Sequence, residues 1–131
     1  MNPVTHFQMP AEDKDRASKF YSSVFGWQMK QLGSDYGDYM TADTTPTGPD
    51  MRPTEPGAIN GGFFSPSADP DSRRTTIVIG VGDIHESLKK VLAAGGTTKM
   101  KEPDTIPGVG LFMTFTDTEG NFVAMLEPRG M

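Results

Sequence analysis

Hydrophobic and polar positions along this chain predict two runs of elements in the same order. In the first run, Val4 to Met9 alternates and predicts a strand, because successive strand residues point to opposite faces. A helix follows, between an N-cap at Asp13 and a terminating glycine at Gly26. Its apolar stripe consists of Ala17, Phe20, Tyr21 and Val24. Three further strands are predicted at Trp27 to Leu32, Tyr36 to Ala42 and Ala58 to Phe64.

A long loop separates the last two strands of this run. Asp43 to Gly57 contains four prolines and two glycines among polar residues. Loops of this length in compact domains are often functional, so we expect it near the mouth of a site. Asn60-Gly61 after it is also a signal for a tight hairpin turn. We favour the strand, because the flanks of that dipeptide are too short to make two strands.

The second run repeats the order after a linker-like segment from Ser65 to Arg74. Thr75 to Val81 is β-branched and predicts a strand. Asp83 and Glu86 have the spacing of a capping box at a helix start, and Gly95-Gly96 ends that helix. The remaining predicted strands are Thr97 to Lys101, Leu111 to Thr116 and Phe122 to Leu126.

An internal repeat fixes an architecture before any single residue is interpreted. Both runs have the order strand, helix, strand, strand, strand, which predicts an α+β domain of tandem βαβββ modules at residues 1–68 and 73–131. Counting back seven residues from the two helix-starting aspartates equates His6 with Thr76. Counting forward four from Gly57 and Gly120 equates Gly61 with Ala124.

The amino-acid composition and charge exclude or disfavour several classes of function. The net charge of -5 disfavours nucleic-acid binding, which needs a basic face. The chain has no cysteine, which excludes disulfides, thiolate metal sites and a cysteine nucleophile. No signal peptide is visible, and no apolar run approaches the ~20 residues of a membrane span. We therefore expect a cytoplasmic protein of one domain.

Several motifs resemble one family. Asp117-x-x-Gly-Asn121 before a closing strand, and Phe20-Tyr21 with Phe25-Gly26 in the first helix, are similar to the vicinal oxygen chelate superfamily, which includes glyoxalases and bleomycin-resistance proteins. The resemblance covers nearly the whole chain. It implies curved sheets with helices on the convex side and a site on the concave side.

The resemblance and the strand alternation together predict which residues face that site. The residues expected to face the cavity are His6, Gln8, Ile59, Gly61, Thr76, Val78, Phe122 and Ala124. The residues expected to lie against the helices are Phe7, Met9, Ile77 and Ile79. We predict an apolar ligand cavity whose lining includes Ile59, Phe63, Phe122, Ala124 and Leu126, with His6 and Gln8 as its polar groups.

Most positions that hold metal ligands in the family lack a metal-binding side chain in this sequence. The family's positions fall on His6, Gly61, Thr76 and Ala124, of which His6 alone has a normal metal-binding side chain. A divalent ion needs about three or more imidazole or carboxylate donors. No cofactor is therefore predicted, although an atypical divalent-metal site stays open. No catalytic residue is assigned.

Three functions remain as hypotheses. The first is a metal-free protein of the glyoxalase or bleomycin-resistance type that binds a small molecule. The alternative is a lyase, dioxygenase or transferase of the superfamily with an atypical metal site. The third is a partner-binding module whose cavity is vestigial.

A homodimer is expected, because open sheet edges and apolar faces are usually covered. Dinucleotide binding at Gly80-Val-Gly82 is rejected, because His85 occupies the position of the third glycine.

Overall fold

A computed structural model describes residues 1–129 of the chain. Their helices and strands follow the predicted order of two βαβββ runs. The elements are β1 (Val4–Pro10), α1 (Lys14–Phe25), β2 (Gln28–Gln31), β3 (Met40–Asp43), β4 (Asn60–Phe64), β5 (Thr76–Gly80), α2 (Ile84–Ala93), β6 (Asp104–Ile106), β7 (Gly110–Thr116) and β8 (Phe122–Pro128). Two short 3-10 helices lie at Ser34–Tyr36 and Pro70–Arg73. Neither α-helix has the length and apolar character that a bilayer span requires.

The contacts divide the chain into two compact units. The first unit comprises residues 6–75, and the second comprises residues 1–5 together with the chain from residue 76 onward. In the first unit the strand order is β2-β3-β4-β1, and in the second it is β5-β8-β7-β6. The pairs β1/β4 and β5/β8 are parallel, whereas the other pairs within each unit are antiparallel.

The first unit is built on α1. The Asp13 carboxylate accepts a hydrogen bond from the Arg16 backbone N–H at 2.9 Å, and Gly26 ends the helix with a φ of 72°. Both predicted caps are confirmed, since the left-handed conformation at a helix end favours glycine. The buried core under α1 consists of Ala11, Met40, Ala42 and Phe63, with Phe7, Met9, Ala17, Tyr21, Trp27 and Met29 packed against it.

In the first unit one predicted strand is shortened, and the prediction of a strand over the hairpin at Asn60-Gly61 is confirmed. The strand expected from Tyr36 begins at Met40, because Ser34–Tyr36 is a 3-10 helix and the next two residues, Gly37 and Asp38, both have positive φ. Positive φ is incompatible with an extended strand. The hairpin at Asn60-Gly61 does not form, since both residues lie inside β4 and pair with β1.

The second unit is built on α2. Asp83 caps its start by accepting from the backbone N–H groups of His85 and Glu86 at 3.0 and 3.1 Å. The Glu127 carboxylate on β8 accepts from the Ile84 N–H at 3.0 Å, so strand and helix are joined by a buried hydrogen bond. The core under α2 consists of Val81, Ile84, Met113 and Met125, with Ile79, Leu88, Met100, Leu111 and Phe115 packed against it.

The strand predicted at Thr97 to Lys101 is wrong. Thr97 makes an isolated bridge with Thr116, and the extended pairing with β7 begins at Asp104. Between them, side chains replace the backbone ladder: Thr98 Oγ1 donates to the Thr114 carbonyl at 2.7 Å, and the Thr114 N–H donates to Met100 Sδ at 3.3 Å. Threonine side chains compete with the backbone in this way, and a β-branched pattern alone does not reveal it.

Candidate functional site

Each sheet has one face packed on its own helix, called here the helix face, and an opposite face. In the first unit, Phe7 and Met9 of β1 lie on the helix face, as predicted. Because paired residues of neighbouring strands share a face, the register places Gly61 beside Phe7 and Phe63 beside Met9. The same register places Asn60 beside His6 and Gly62 beside Gln8, on the opposite face.

The predicted orientation of β4 is therefore wrong by one residue. Gly61 and Phe63 were expected at the cavity, but Phe63 is 2% exposed in the core under α1. A Cβ on Gly61 would overlap the backbone oxygen and the ring of Phe7. Ile59 precedes β4 and is half-buried, and its carbonyl accepts a hydrogen bond from Thr44 Oγ1 at 2.6 Å. Because strand side chains alternate, a shift of one residue moves every side chain of β4 to the other face.

A polar side chain that the sequence analysis did not single out lies on the opposite face of the first unit. Tyr39 covers Gly62, where a Cβ would overlap its ring and hydroxyl. A hydrogen bond joins the Gln8 side chain to the Tyr39 hydroxyl, and burial raises the pKa of Tyr39 to about 12. Tyr39 is therefore a neutral phenol near pH 7. Alternation puts Tyr39 and Met40 on opposite faces, but contacts outside this segment decide which of the two enters the core.

His6 completes this polar group. Its side chain has an exposed surface, yet burial lowers the pKa of the imidazole below its usual value. Desolvation disfavours the charged form of a histidine. His6 is therefore neutral near pH 7, with one nitrogen able to donate a hydrogen bond and the other able to accept one.

The side-chain oxygen of Asn60, which pairs with His6 in the register of β1 and β4, is already hydrogen-bonded. Asn60 Oδ1 accepts from the backbone N–H groups of Thr44 and Thr45 at 2.8 and 3.1 Å. These bonds tether the start of the Pro/Gly-rich loop predicted from Asp43 to Gly57 to the edge of this face. The amide oxygen is saturated by them, which leaves it little capacity for a further ligand.

In the second unit, the strand faces are as predicted for β5 and β8. Val78, Ala124 and Leu126 form a buried cluster with Phe112, separate from the core under α2. Ala124 has no exposed surface and Leu126 is 8% exposed, while Phe122 at the start of β8 is half-buried. Thr76 is also buried. Ile79 packs under α2 as expected, whereas Ile77 is 44% exposed. That any of these side chains contacts a ligand stays a prediction.

A surface groove of about 610 Å³ lies in the first unit, beside the start of α1. Its lining includes Met9, Ala17, Phe20, Tyr21 and Phe63, with Glu12, Asp13 and Arg16 also lining it. These charged side chains form ion pairs within the unit. Arg73 Nη1 lies 2.9 Å from Glu12 Oε1, and Arg16 Nη1 lies 3.9 Å from Asp13 Oδ2. This groove is on the helix face, so it is distinct from the surface that carries His6, Gln8 and Tyr39.

The donors at the family's metal positions do not suit a divalent ion. With the orientation of β4 corrected, the β4 residue on the same face as His6 is Asn60 or Gly62, not Gly61. The amide oxygen of Asn60 already accepts two backbone hydrogen bonds, and Gly62 has no side chain. Thr76 and Ala124 add no imidazole or carboxylate. Within residues 1–129, no group of three or more histidine, cysteine, aspartate or glutamate side chains could hold a metal ion. His6 alone falls short of the donor set that zinc or a harder cation needs.

We predict that the purified protein carries no stoichiometric divalent metal. The reason is the donor set, because Gly61, Thr76 and Ala124 supply no imidazole or carboxylate at the other family positions. Elemental analysis of protein purified without an affinity tag measures this. About one zinc, nickel, iron or manganese per chain, lost in the variant His6→Ala but kept in His85→Ala, would contradict the prediction.

The sequence matches the Glyoxalase/Bleomycin resistance protein/Dioxygenase superfamily over residues 4–125. The match covers most of the chain, and the chain belongs to this family. A Glyoxylase-like domain-containing protein of Didymella fabae is 29% identical over 129 residues, which are 97% of this chain and 94% of that relative.

Solved structures share the fold at low identity. A hypothetical protein from Bacillus halodurans has a TM-score of 0.69 and 17% identity, covering 99% of this chain and 96% of its own. A variant of Streptomyces coelicolor methylmalonyl-CoA epimerase in complex with 2-nitronate-propionyl-CoA has a TM-score of 0.71 and 14% identity, covering 100% and 97%. At these identities the likeness establishes the glyoxalase-like fold and nothing about activity.

Proposed function

We propose that this glyoxalase-like protein binds a small organic molecule through His6 and Gln8, without a family-type metal. The observation that carries the proposal is the alternation of these two side chains on β1, which puts both on the face opposite α1. Both are neutral and both can donate and accept hydrogen bonds. Such groups can orient an organic ligand, whereas one imidazole and one amide are too few donors for a divalent-metal site.

The family's metal-dependent chemistry is not favoured for this chain. A lyase, dioxygenase or transferase of that kind needs a cation to polarise or deprotonate its substrate. His6 is the single imidazole at the corresponding positions, and its neighbour Asn60 is already bonded to two backbone amides. We therefore assign His6 to hydrogen bonding with the ligand and propose no metal.

A second candidate function has one observation in its favour. In the second unit, Val78 and Ala124 are 1% and 0% exposed, so their face is packed and not open to solvent. A filled face is what we expect of a partner-binding module that has lost its cavity. Ligand binding distinguishes the two functions, because a module of that kind would bind no small molecule at His6 and Gln8.

Nile red, an uncharged fluorescent dye, tests the proposal. We expect saturable binding to the native protein, and a weakening of roughly 2- to 10-fold in the double variant His6→Ala/Gln8→Ala, because two hydrogen-bonding groups are removed. His85→Ala is the matched control, since that histidine is exposed in the first turn of α2. Equal affinity in the double variant, or no dye binding at all, would count against the proposal and for the partner-binding module.

We also propose a homodimer. Within the described residues, β2 and β6 end the sheets of their units, and each leaves one row of backbone groups unpaired in its sheet. On α1, Phe20, Val24 and Phe25 are 53%, 55% and 61% exposed, which is an apolar surface of the kind that partners cover. Light scattering at micromolar concentration measures the mass. A mass of one chain would disprove the dimer.

We further propose that the protein is cytoplasmic and has no nucleic-acid or membrane partner. The net charge of -5 supports the absence of nucleic-acid binding, because phosphate backbones attract basic faces. The lack of cysteine means that no oxidising compartment is needed for folding.

A further inference from the structure

Tyr39 is held in place on the face that carries Gln8. It alternates with Met40, which has no exposed surface in the core under α1, so the Tyr39 side chain lies on the opposite face. Its carbonyl accepts a hydrogen bond from the Leu32 N–H at 2.8 Å, which fixes its backbone next to β2. Glycine at position 62 lets the ring lie directly on β4. Any side chain at position 62 would displace it.

The hydroxyl of Tyr39 has hydrogen-bonding capacity left over. A tyrosine hydroxyl has one donor and two acceptor sites, and the bond to Gln8 uses one of the three. The residue is half-buried, so a ligand can reach part of it. The Gln8 amide in turn has free capacity, and His6 lies two residues away on the same strand face.

The charges on this face do not favour an anion. By register, Lys30 of β2 and Asp43 at the end of β3 belong to it, and both are exposed. They have opposite signs and lie toward the outer edge of the sheet. Nearer β1, the three polar side chains are neutral, and a charge brought among neutral groups loses more hydration than it regains.

We infer that Tyr39 is a third ligand-contacting group of the site that contains His6 and Gln8, and that this site takes an uncharged molecule with a carbonyl or hydroxyl oxygen. The inference rests on the proposed function and deepens it. Tyr39 and Gln8 would act as a pair, each holding the other in position while its remaining donor or acceptor meets the ligand oxygen. His6 would supply the third hydrogen bond.

Three probes of the same size test the inference by NMR titration near neutral pH. They are naphthyl methyl ketone, ethylnaphthalene and naphthoate, each substituted at the same ring position, so they differ in the presence of an oxygen acceptor and in charge. We expect the ketone to bind about tenfold or more tightly than the carboxylate. Tyr39→Phe keeps the ring on Gly62 and should weaken ketone binding about 3- to 10-fold while changing ethylnaphthalene binding by no more than about twofold.

Tyr36→Phe is the matched control, because Tyr36 is 43% exposed on a 3-10 helix in the same unit. It should leave all three affinities unchanged. Naphthoate binding as tightly as the ketone, or ketone binding indifferent to Tyr39→Phe, overturns the inference while the small-molecule function stands. Failure of all three probes and of Nile red to bind overturns the proposed function itself, and the role of Tyr39 with it. Circular dichroism of each variant establishes that it is folded.

Discussion

Replacing Phe63 with alanine is expected to lower the free energy of unfolding by about 3–5 kcal/mol. Phe63 is 2% exposed in the core under α1, and its ring centroid lies 5.3 Å from that of Tyr21. Its neighbours on the adjacent strands are Met9 and Met40 by register. Removing the ring leaves a cavity among rigid strands and a helix, which can close only in part. Urea unfolding followed by tryptophan fluorescence measures the change.

Tyr36→Ala is the matched control for this prediction. Tyr36 lies on a 3-10 helix and is 43% exposed, so its loss should cost about 1 kcal/mol or less. The comparison also tests the orientation of β4. If Phe63 faced the surface that carries His6 and Gln8, Phe63→Ala would be mild and would alter Nile red binding. A loss no larger than that of Tyr36→Ala would contradict the orientation of β4 described above.

The architecture could be predicted from the sequence because its signals are local. Asp13 and Gly26 define α1 by cap chemistry that depends on neighbouring backbone groups alone. The alternation in β1 separates Phe7 and Met9 from His6 and Gln8 without reference to any other strand. Once the same order recurs after residue 75, the tandem βαβββ arrangement follows from the repeat itself.

The orientation of β4 could not be obtained in the same way. The repeat makes Gly57 and Gly120 equivalent positions. However, β4 begins at Asn60, three residues after Gly57, whereas β8 begins at Phe122, two residues after Gly120. One extra residue in the turn exchanges the two faces of a strand. Ala124 was therefore placed correctly relative to its helix, while Gly61 and Phe63 were placed on the wrong face.

Tyr39 was missed for a different reason. An aromatic residue on a strand is most often part of the core, and composition does not show that Met40 takes that position instead. What fixes Tyr39 on the other face is a contact between residues far apart in the chain, namely its ring on Gly62 and its bond to Gln8. Such a contact is visible in the fold alone. It adds a phenol to the two polar groups that the strand pattern did predict.

Ala124→Phe is expected to destabilise the protein by roughly 1–3 kcal/mol. Ala124 has no exposed surface, and its register neighbours are Val78 on β5 and Thr114 on β7. A phenyl ring there must displace Val78 or Leu126, both of which are packed against it. Ala93→Phe, at the exposed end of α2, is the control and should change stability by no more than about 0.5 kcal/mol. If Ala124→Phe kept full stability and blocked Nile red, this face would hold an open cavity, and the packed cluster described here would be wrong.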